Sequence, residues 1–567
     1  MDANDGEDVR RVVPHIEPLK VVAGARESAA AVLARLNSQN AQAAPVFLRG
    51  RTIGVLTSRL ANDAARHGLG RVAAKDLVSG GAPRVSPAAS PASMRRASLG
   101  IAPALLVGEH GGPLVGILSR LEIERAAPRR WSAAAKRDMR RRLARLLGAE
   151  RAQVLARAGA LAGRSRMPLY LVGGVVRDLL RGVPAKDLDL VVEGDVATFA
   201  AELGRDLSAR VTRHDTFGTA VLELAGGARI DIATARHESY EAPARLPSVA
   251  AGTLLEDLQR RDVTINCLAL RLDGAAFGGL IDEMGGQRDL RAGILRVNHS
   301  LSLTEDPTRA FRIARFAARF GFRFSGETLK SLRLARSAGA FEALTGERLF
   351  REFSLMTAEP DPSAAIARCA RLGLLAHLGP GLRWDVDASR GVRQLSSTWN
   401  EEITPLRRTL LVLMVLSLRA RPAQRDALAA RLRISGKAAG RLREAPRAAM
   451  RLARSLAKAR GPRDIVRACE QAPHDVMALA WAVGGASARR ALRFYLRALE
   501  NLRLSVTGDT LREMGMPAGP GYAAILAEIR RARLEGRISD GASERRMALR
   551  LMARDAARDA GVRQDRH

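Results

Sequence analysis

Cysteine is scarce. Cys267, Cys369 and Cys469 are the only three in 567 residues; they lie far apart, and no two form a CxxC pair. That spacing points to neither a disulfide framework nor a zinc site, and it fits a reducing, cytoplasmic setting. Long apolar runs are also missing, since the longest, Leu410 to Leu416, falls far short of the ~20 residues that span a bilayer. The opening MDANDGEDVRR is acidic and polar, unlike a secretory signal. The expectation is a cytoplasmic protein with no membrane partner. Acidic charge is in deficit, with 59 Asp and Glu against 92 Lys and Arg and a net charge of +33. Such an excess favours a polyanionic partner, because clustered basic side chains gain affinity by releasing counterions from phosphates. An Ala- and Arg-rich composition explains part of the same excess, so charge alone does not decide.

What is present reads as several domains. A prior of ~150 residues per domain gives three or four. Residues 1–20 read as a tail. Within 21–128, PVFLRGRTIGVLTSRL (45–60) and PALLVGEHGGPLVGILSRL (103–121) resemble each other. Each has an apolar strand, a Gly-containing turn, a second strand, and a helix start at Thr57 or Ser119. A repeat of this kind predicts two stacked copies of one supersecondary unit. The basic stretch 129–165, with Arg140, Arg141, Arg142 and Arg145, reads as solvated linker helices. Strands and helices alternate over 166–300. Beyond Thr304 the pattern is almost entirely helical, punctuated by Pro and Gly at 379–381, 461–462 and 517–521.

The densest chemistry lies in LYLVGGVVRDLLRGVPAKDLDLVVEGD (169–195). Leu169 to Val172 predicts a buried strand, Gly173-Gly174 a tight turn, and Val175 to Arg181 a helix whose amino terminus suits an anion. Asp187 and Asp189 border and enter a second strand, Leu188 to Val192. Side chains two apart on a strand share a face, so both carboxylates can meet one cation. An Asp-x-Asp at a strand edge can equally cap a loop. Asp231, between Ile230 and Ile232, is a third carboxylate in a short strand, and an ordinary outward-facing residue would look the same. Downstream, DLQRRDVTINCLAL (257–270) carries Arg260, Arg261 and Asp262. EDPTRAFRIARFAARFGF (305–322) places Asp306 and Arg309 at i and i+3 on one helix face, with Thr304 as the expected N-cap and Pro307 in the first turn. An intrahelical salt bridge is the plain alternative for that pair. His214-Asp215 and His474-Asp475 are isolated pairs without further ligands.

LVGGVVRDLLRG…KDLDLVV, RRDVTINCLA and EDPTRAFRIARFAARFGF, in this order, resemble the class II branch of the polymerase-beta nucleotidyltransferases. That branch holds tRNA CCA-adding enzymes, their CC- and A-adding variants, and bacterial poly(A) polymerases. The resemblance spans about 165–375 and, more weakly, the tail, where LSVTGDTLREMGMPAGPGYAAILAEIRRARLEGRIS (504–539) is similar to the family's helical end. It implies that Asp187 and Asp189 hold two Mg²⁺ ions, and Asp231, read from its strand, is the candidate third catalytic carboxylate. It implies that Gly173, Gly174 and Arg177 receive the triphosphate of CTP or ATP, and that Arg261, Asp262 and Asn266 organise the ribose. Val263 and Cys267 stand where the family usually has Phe and Ala. Glu305-Asp306-x-x-Arg309 matches the family's base-reading template, with Asp306 and Arg309 as the reading pair; Glu305, Arg312 and Arg315 are additional candidates for the nucleotide site.

The 45–60 and 103–121 repeat resembles a tandem CBS pair, with Leu60 and Glu122 at the positions where such modules carry a ribose-binding carboxylate. The implied fold is multidomain, α+β followed by α. A CBS-like α/β pair (21–128) and the linker precede a nucleotidyltransferase head with a mixed sheet and helices (166–300). An all-helical neck (301–380) and an RNA-binding body and tail (381–567) follow. The implied partners are the tRNA 3′ acceptor end, nucleoside triphosphates and a second copy of the chain through the CBS-like module. The loop around 236–256 is similar to that of the tRNA-directed enzymes. Addition of CCA, CC or A to tRNA, poly(A) synthesis and a catalytically retired RNA-binding or adenylate-sensing module all remain open at this point.

Overall fold

The computed structural model describes residues 14–127, 129–185, 187–214, 218–398 and 403–564, with side chains as far as 555. Asp215 and most of the 1–20 tail lie outside them. The chain divides into two compact units between Thr345 and Gly346. That boundary falls inside the segment expected as one neck, 301–380.

In the first unit the internal repeat becomes a repeated topology. Ala23–Gly24, Ala29–Ser38, Ala43–Leu48, Arg51–Thr57 and Ser58–Arg66 run strand, helix, strand, strand, helix. Arg84–Val85, Pro91–Ala97, Ala104–Val107, Gly116–Ser119 and Arg120–Ala126 repeat that order. In both copies the first strand is parallel to the second, and the second antiparallel to the third. Both final helices start as the sequence predicts: the Thr57 and Ser119 hydroxyls accept from the amides of Leu60 and Glu122. Ala43 and Val55 of one copy and Ala104, Leu106 and Ile117 of the other share one buried cluster, so neither sheet has to bury its apolar face alone.

The head is built on a seven-stranded sheet in the order 210–214, 219–223, 229–234, 188–192, 169–172, 269–271, 280–281. Strand alternation sorts its residues. Leu169, Leu171, Leu188, Leu190, Val192, Ile230 and Ile232 enter one core with the helices Gly174–Arg181 and Val196–Leu207. Tyr170, Val172 and Val191 face the other way, against Leu254, Leu255 and Leu258. The period of two therefore assigns Asp189 and Asp231 to this second face.

Two expectations are corrected here. The basic stretch is two helices, Ala133–Leu147 and Ala149–Arg164, but they are not a solvated linker. Met139, Leu143, Leu147, Leu155, Ala158 and Ala162 lie in the head's own core. Their close approach is visible at Gly159, where a Cβ would sit 2.0 Å from the carbonyl oxygen of Leu272. The 236–256 segment, expected as a loop, is a two-stranded ribbon, Arg236–Ser239 with Ser248–Ala251, leading into the helix Leu254–Gln259.

Among the described residues the second unit contains helices and no strands. The apolar run Leu410 to Leu416 lies in the helix Pro405–Leu416 and is buried throughout. No helix is long and apolar enough to cross a membrane. The tail helices Gly508–Glu513, Gly521–Leu534 and Gly541–Gln564 have a core of their own around Val506, Leu511 and Ile529.

Candidate active site

The strand Leu188–Val192 lies between 169–172 and 229–234, and it pairs with 229–234 in parallel so that Asp231 stands opposite Asp189. Asp187 is exposed just before the strand. The three carboxylates therefore belong to adjacent positions on one sheet face. Burial pushes the Asp189 carboxyl above its ordinary value; Arg261 pulls it back, while Asp231 and Asp187 push it further up. Crowded, partly desolvated carboxylates are suited to a cation, and this oxygen donor set fits Mg²⁺. Among the described residues no three His, Cys, Asp or Glu side chains form a ready-made cage. Mg²⁺ commonly takes one or two carboxylates and completes its shell with substrate phosphates and water, so the arrangement fits that ion.

Gly173 joins this face to the phosphate turn. Its φ is 76°, which side-chain-bearing residues rarely adopt. A Cβ there would lie 3.0 Å from Arg261 Nη1 and 3.9 Å from Asp189 Oδ2. The Gly173 amide itself donates to Leu268 O at 3.2 Å, so its role is to start the helix at the strand end. The first-turn amides of Gly174–Arg181 remain the feature suited to an anion.

Arg177, expected to meet the triphosphate, is only 6% exposed. It donates to Asn266 Oδ1 at 2.7 Å and to Asp178 at 2.8 Å, and lies over the Phe320 ring at 4.7 Å. Asn266 in turn donates to Asp262 Oδ1 at 2.9 Å, and Arg312 donates to Asp262 Oδ2 at 3.0 Å. Burial works against ionisation of Asp262, but Arg312 and Asn266 outweigh it and hold the carboxyl below its usual range. Arg177, Asn266 and Asp262 thus brace the site, and Arg312 is its more exposed member. Arg315 lies over Phe316 at 5.2 Å.

The base-reading pair is built differently from the expectation. Thr304 does not cap the helix; it is buried near the end of a short helix, Ser302–Glu305, and the main helix runs Thr308–Phe320. Its N-cap position is Pro307, and Asp306, one residue earlier, accepts from the Thr308 amide at 3.1 Å. Arg309 is 5% exposed. It donates to Ser302 Oγ at 2.8 Å and to Arg260 O at 2.6 Å, with Asp306 Oδ2 3.8 Å from its Nε. Glu305 is turned elsewhere. It lines a cleft with Arg59, Leu60, His237 and Tyr240, and none of the three aspartates borders that cleft.

Asp257 and Tyr240 escaped the sequence reading. Asp257 is fully buried and binds both Arg260 and Arg261. Its i+3 and i+4 spacing to the two arginines was the available signal. Tyr240 touches Arg309 across the chain, and nothing local announces that contact.

Residues 169–296 match the Poly A polymerase head domain, which defines the class of this head. An A-adding tRNA nucleotidyltransferase of Geobacter sulfurreducens is 31% identical over 543 residues, 91% of this chain and 62% of that protein. Another from Halalkalibacterium halodurans is 38% identical over 253 residues, 44% of this chain and 59% of that protein. The chain thus spans about three fifths of the length of these two curated relatives. Among solved structures, a CCA-adding enzyme in an apo form superimposes with a TM-score of 0.64 at 30% identity, covering 73% of this chain and 98% of that one. A Thermotoga maritima CCA-adding enzyme complexed with tRNA gives 0.61 at 29% identity, covering 73% and 97%. This chain belongs to the family of the tRNA nucleotidyltransferases.

Proposed function

We propose that the chain is a template-independent nucleotidyltransferase that adds C, A or both from CTP and ATP to the 3′ end of tRNA. The observation that carries this reading is the Asp187, Asp189 and Asp231 face beside the Gly173 turn, within a chain whose relatives are A-adding and CCA-adding enzymes. In the reaction the RNA 3′-hydroxyl attacks the α-phosphate of the nucleotide, and pyrophosphate leaves. Mg²⁺, when bound by Asp187 and Asp189, would lower the pKa of that hydroxyl and offset charge on the leaving group. The chain's own part is positional. The first turn of Gly174–Arg181 receives phosphate, the Asp262–Asn266–Arg177 brace fixes that helix against the neck, and we assign base selection to Asp306 with the buried, caged Arg309 behind it.

Addition of A alone is the narrower reading, favoured because the relative that aligns with 91% of this chain is an A-adding enzyme. We read residues 21–128 as a CBS-like pair, supported by the repeated strand–helix–strand–strand–helix topology, and assign it to assembly, including dimerisation, rather than chemistry. Cytoplasmic residence accords with three free, buried cysteines. The test is incubation with tRNAs lacking one, two or three nucleotides of the terminal CCA and each labelled nucleotide in turn. Incorporation of A only onto tRNA ending in CC supports the narrower reading. Long A tracts on unrelated RNA would support poly(A) synthesis, and no incorporation on any substrate would overturn the proposal.

A further inference from the structure

Asp257 has no exposed surface, and it ionises in spite of that: burial raises its carboxyl, but Arg261 and Arg260 outweigh burial and hold it below the usual range. The helix Leu254–Gln259 that carries it is fixed by a capping box between Thr253 and Glu256. One carboxylate oxygen, Oδ1, accepts from Arg260 Nε at 2.9 Å and Nη2 at 2.6 Å. The other, Oδ2, accepts from Arg261 Nε at 3.2 Å and Nη2 at 2.8 Å. Each arginine then leads to a different half of the site. Arg261 lies against Gly173 and Asp189, where its charge counters the crowding of carboxylates.

Arg260 leads the other way. Its Nη1 donates to Glu238 Oε1 at 3.1 Å, Tyr240 Oη donates to Glu238 Oε2 at 2.8 Å, and Arg309 Nη2 reaches Tyr240 Oη at 3.3 Å and Arg260 O at 2.6 Å. These contacts close a ring around the Arg309 guanidinium. Asn298 Nδ2 additionally donates to Arg261 O at 2.9 Å, so the backbone between the two arginines is also held.

We propose that Asp257 is a positioning residue that fixes two functions at once: the guanidinium that faces the carboxylate site, through Arg261, and the cage around the base-reading Arg309, through Arg260. This rests on the nucleotidyltransferase reading above. Asp257 touches none of Asp187, Asp189 or Asp231, so it acts through the two arginines. Its removal loosens both together, because one buried carboxylate pairs with two buried guanidiniums; Arg260 keeps Glu238 as a second carboxylate partner. The two consequences separate at the next step, since each arginine serves one of them.

The experiment compares Asp257→Asn, Arg261→Lys and Arg260→Lys with the full-length wild type. It measures single-nucleotide addition to truncated tRNA for each of the four nucleotides, equilibrium binding of ATP and GTP without RNA, and Tm. Asp257→Asn is expected to lower kcat by about 100-fold, the scale of a small misplacement at a reacting centre. It should also narrow the preference for the correct nucleotide over GTP, in addition and in binding. Arg261→Lys should reproduce the loss of kcat with the preference kept, and Arg260→Lys the narrowed preference with a smaller loss of kcat. If Asp257→Asn does not fold, the two lysine variants carry the test alone. Identical effects of the two lysine variants, or wild-type kcat and preference in Asp257→Asn, would overturn the inference. A wild type that adds nothing to any tRNA would overturn the enzymatic reading instead, and the ATP-to-GTP binding ratio would then still decide the role of Asp257.

Discussion

Asp231 stands directly opposite Asp189 across a parallel pair of strands, although 42 positions separate them in the chain. Burial raises the Asp189 carboxyl, and the like charges of Asp231 and Asp187 add to the rise against the pull of Arg261. A divalent cation held there would favour the ionised carboxylates. Asp187→Ala and Asp189→Ala are therefore expected to lower nucleotide addition by about 100-fold or more while leaving tRNA binding and Tm near wild type. Addition assays, a gel-shift titration and a melting curve check the three parts. Wild-type turnover by both variants in Mg²⁺ buffer would remove the metal assignment.

Gly173→Ala forces a side chain into a positive-φ position, with its Cβ 3.0 Å from Arg261 Nη1. The expected cost is about 1–3 kcal/mol of stability. Activity should fall further than stability, because the displaced groups border the carboxylate site. Thermal melting beside kcat on the same preparation separates the two effects.

For Arg309→Ala the expected signature is blurred selection among CTP, ATP, UTP and GTP, larger than any weakening of triphosphate binding. The side chain is nearly fully buried and its donors satisfy Ser302 and Arg260, so about 1.5–3 kcal/mol of stability should go with it. Selectivity must be compared at a temperature where both proteins are folded. Unchanged selectivity with a uniform loss of rate would favour a purely structural ion pair.

Burial raises the Glu305 carboxyl to about 7, with Arg309 opposing and Asp63 adding to the rise. The folded state thus holds a proton that the unfolded chain releases near the ordinary value of 4.5. The resulting stability is fully present below about 4.5 and is lost as pH rises through about 7, on the order of 3 kcal/mol in all. Glu305→Gln lacks that proton and cannot show the loss. Nearby His299, whose Nε2 lies 3.4 Å from Glu305 Oε2, is driven down to about 3 by burial and by Arg309 and gives the opposite slope below its ordinary value of 6.5, so the part of the window above 6.5 reports Glu305 most directly. The difference between the wild-type and Glu305→Gln unfolding free energies across pH 4–8 should therefore fall with pH and level off above 7. A flat difference would mean that Glu305 is already ionised.

Shortening the chain at residue 150 removes Met139, Leu143 and Leu147 from the head core, together with the module that pairs Arg95 with Glu283. Shortening at 129 keeps the helices and loses only the module, leaving Arg129 on Glu283 but exposing Leu301 and Leu334. The shorter chain is expected to melt lower and to aggregate, while the chain from 129 keeps addition activity with a reduced Tm. Melting curves, solution mass and addition rate on a truncated tRNA distinguish the two. A soluble chain from 129 that no longer acts on tRNA would give the module a part in substrate handling.

Much of this was legible locally. The alternation of Leu188, Leu190 and Val192, and of Ile230 and Ile232, dictates that the intervening aspartates leave the apolar core, because successive strand side chains point to opposite faces. The hydroxyls of Thr57 and Ser119 fix two helix starts for an equally local reason. Even the i, i+4 stripe of Met139, Leu143 and Leu147 was there to be read, beneath the arginines that made 133–147 resemble a solvated helix. Tertiary structure alone decided which strands are neighbours, and so that Asp231 stands opposite Asp189, with Arg229 of its own strand on its outer side. It also turned Glu305 toward Arg59 and Asp63, more than 240 positions upstream, and closed the ring from Asp257 to Arg309. Propensity and periodicity act over a few residues. The environment of a buried charge is set by whatever distant chain the packing brings against it.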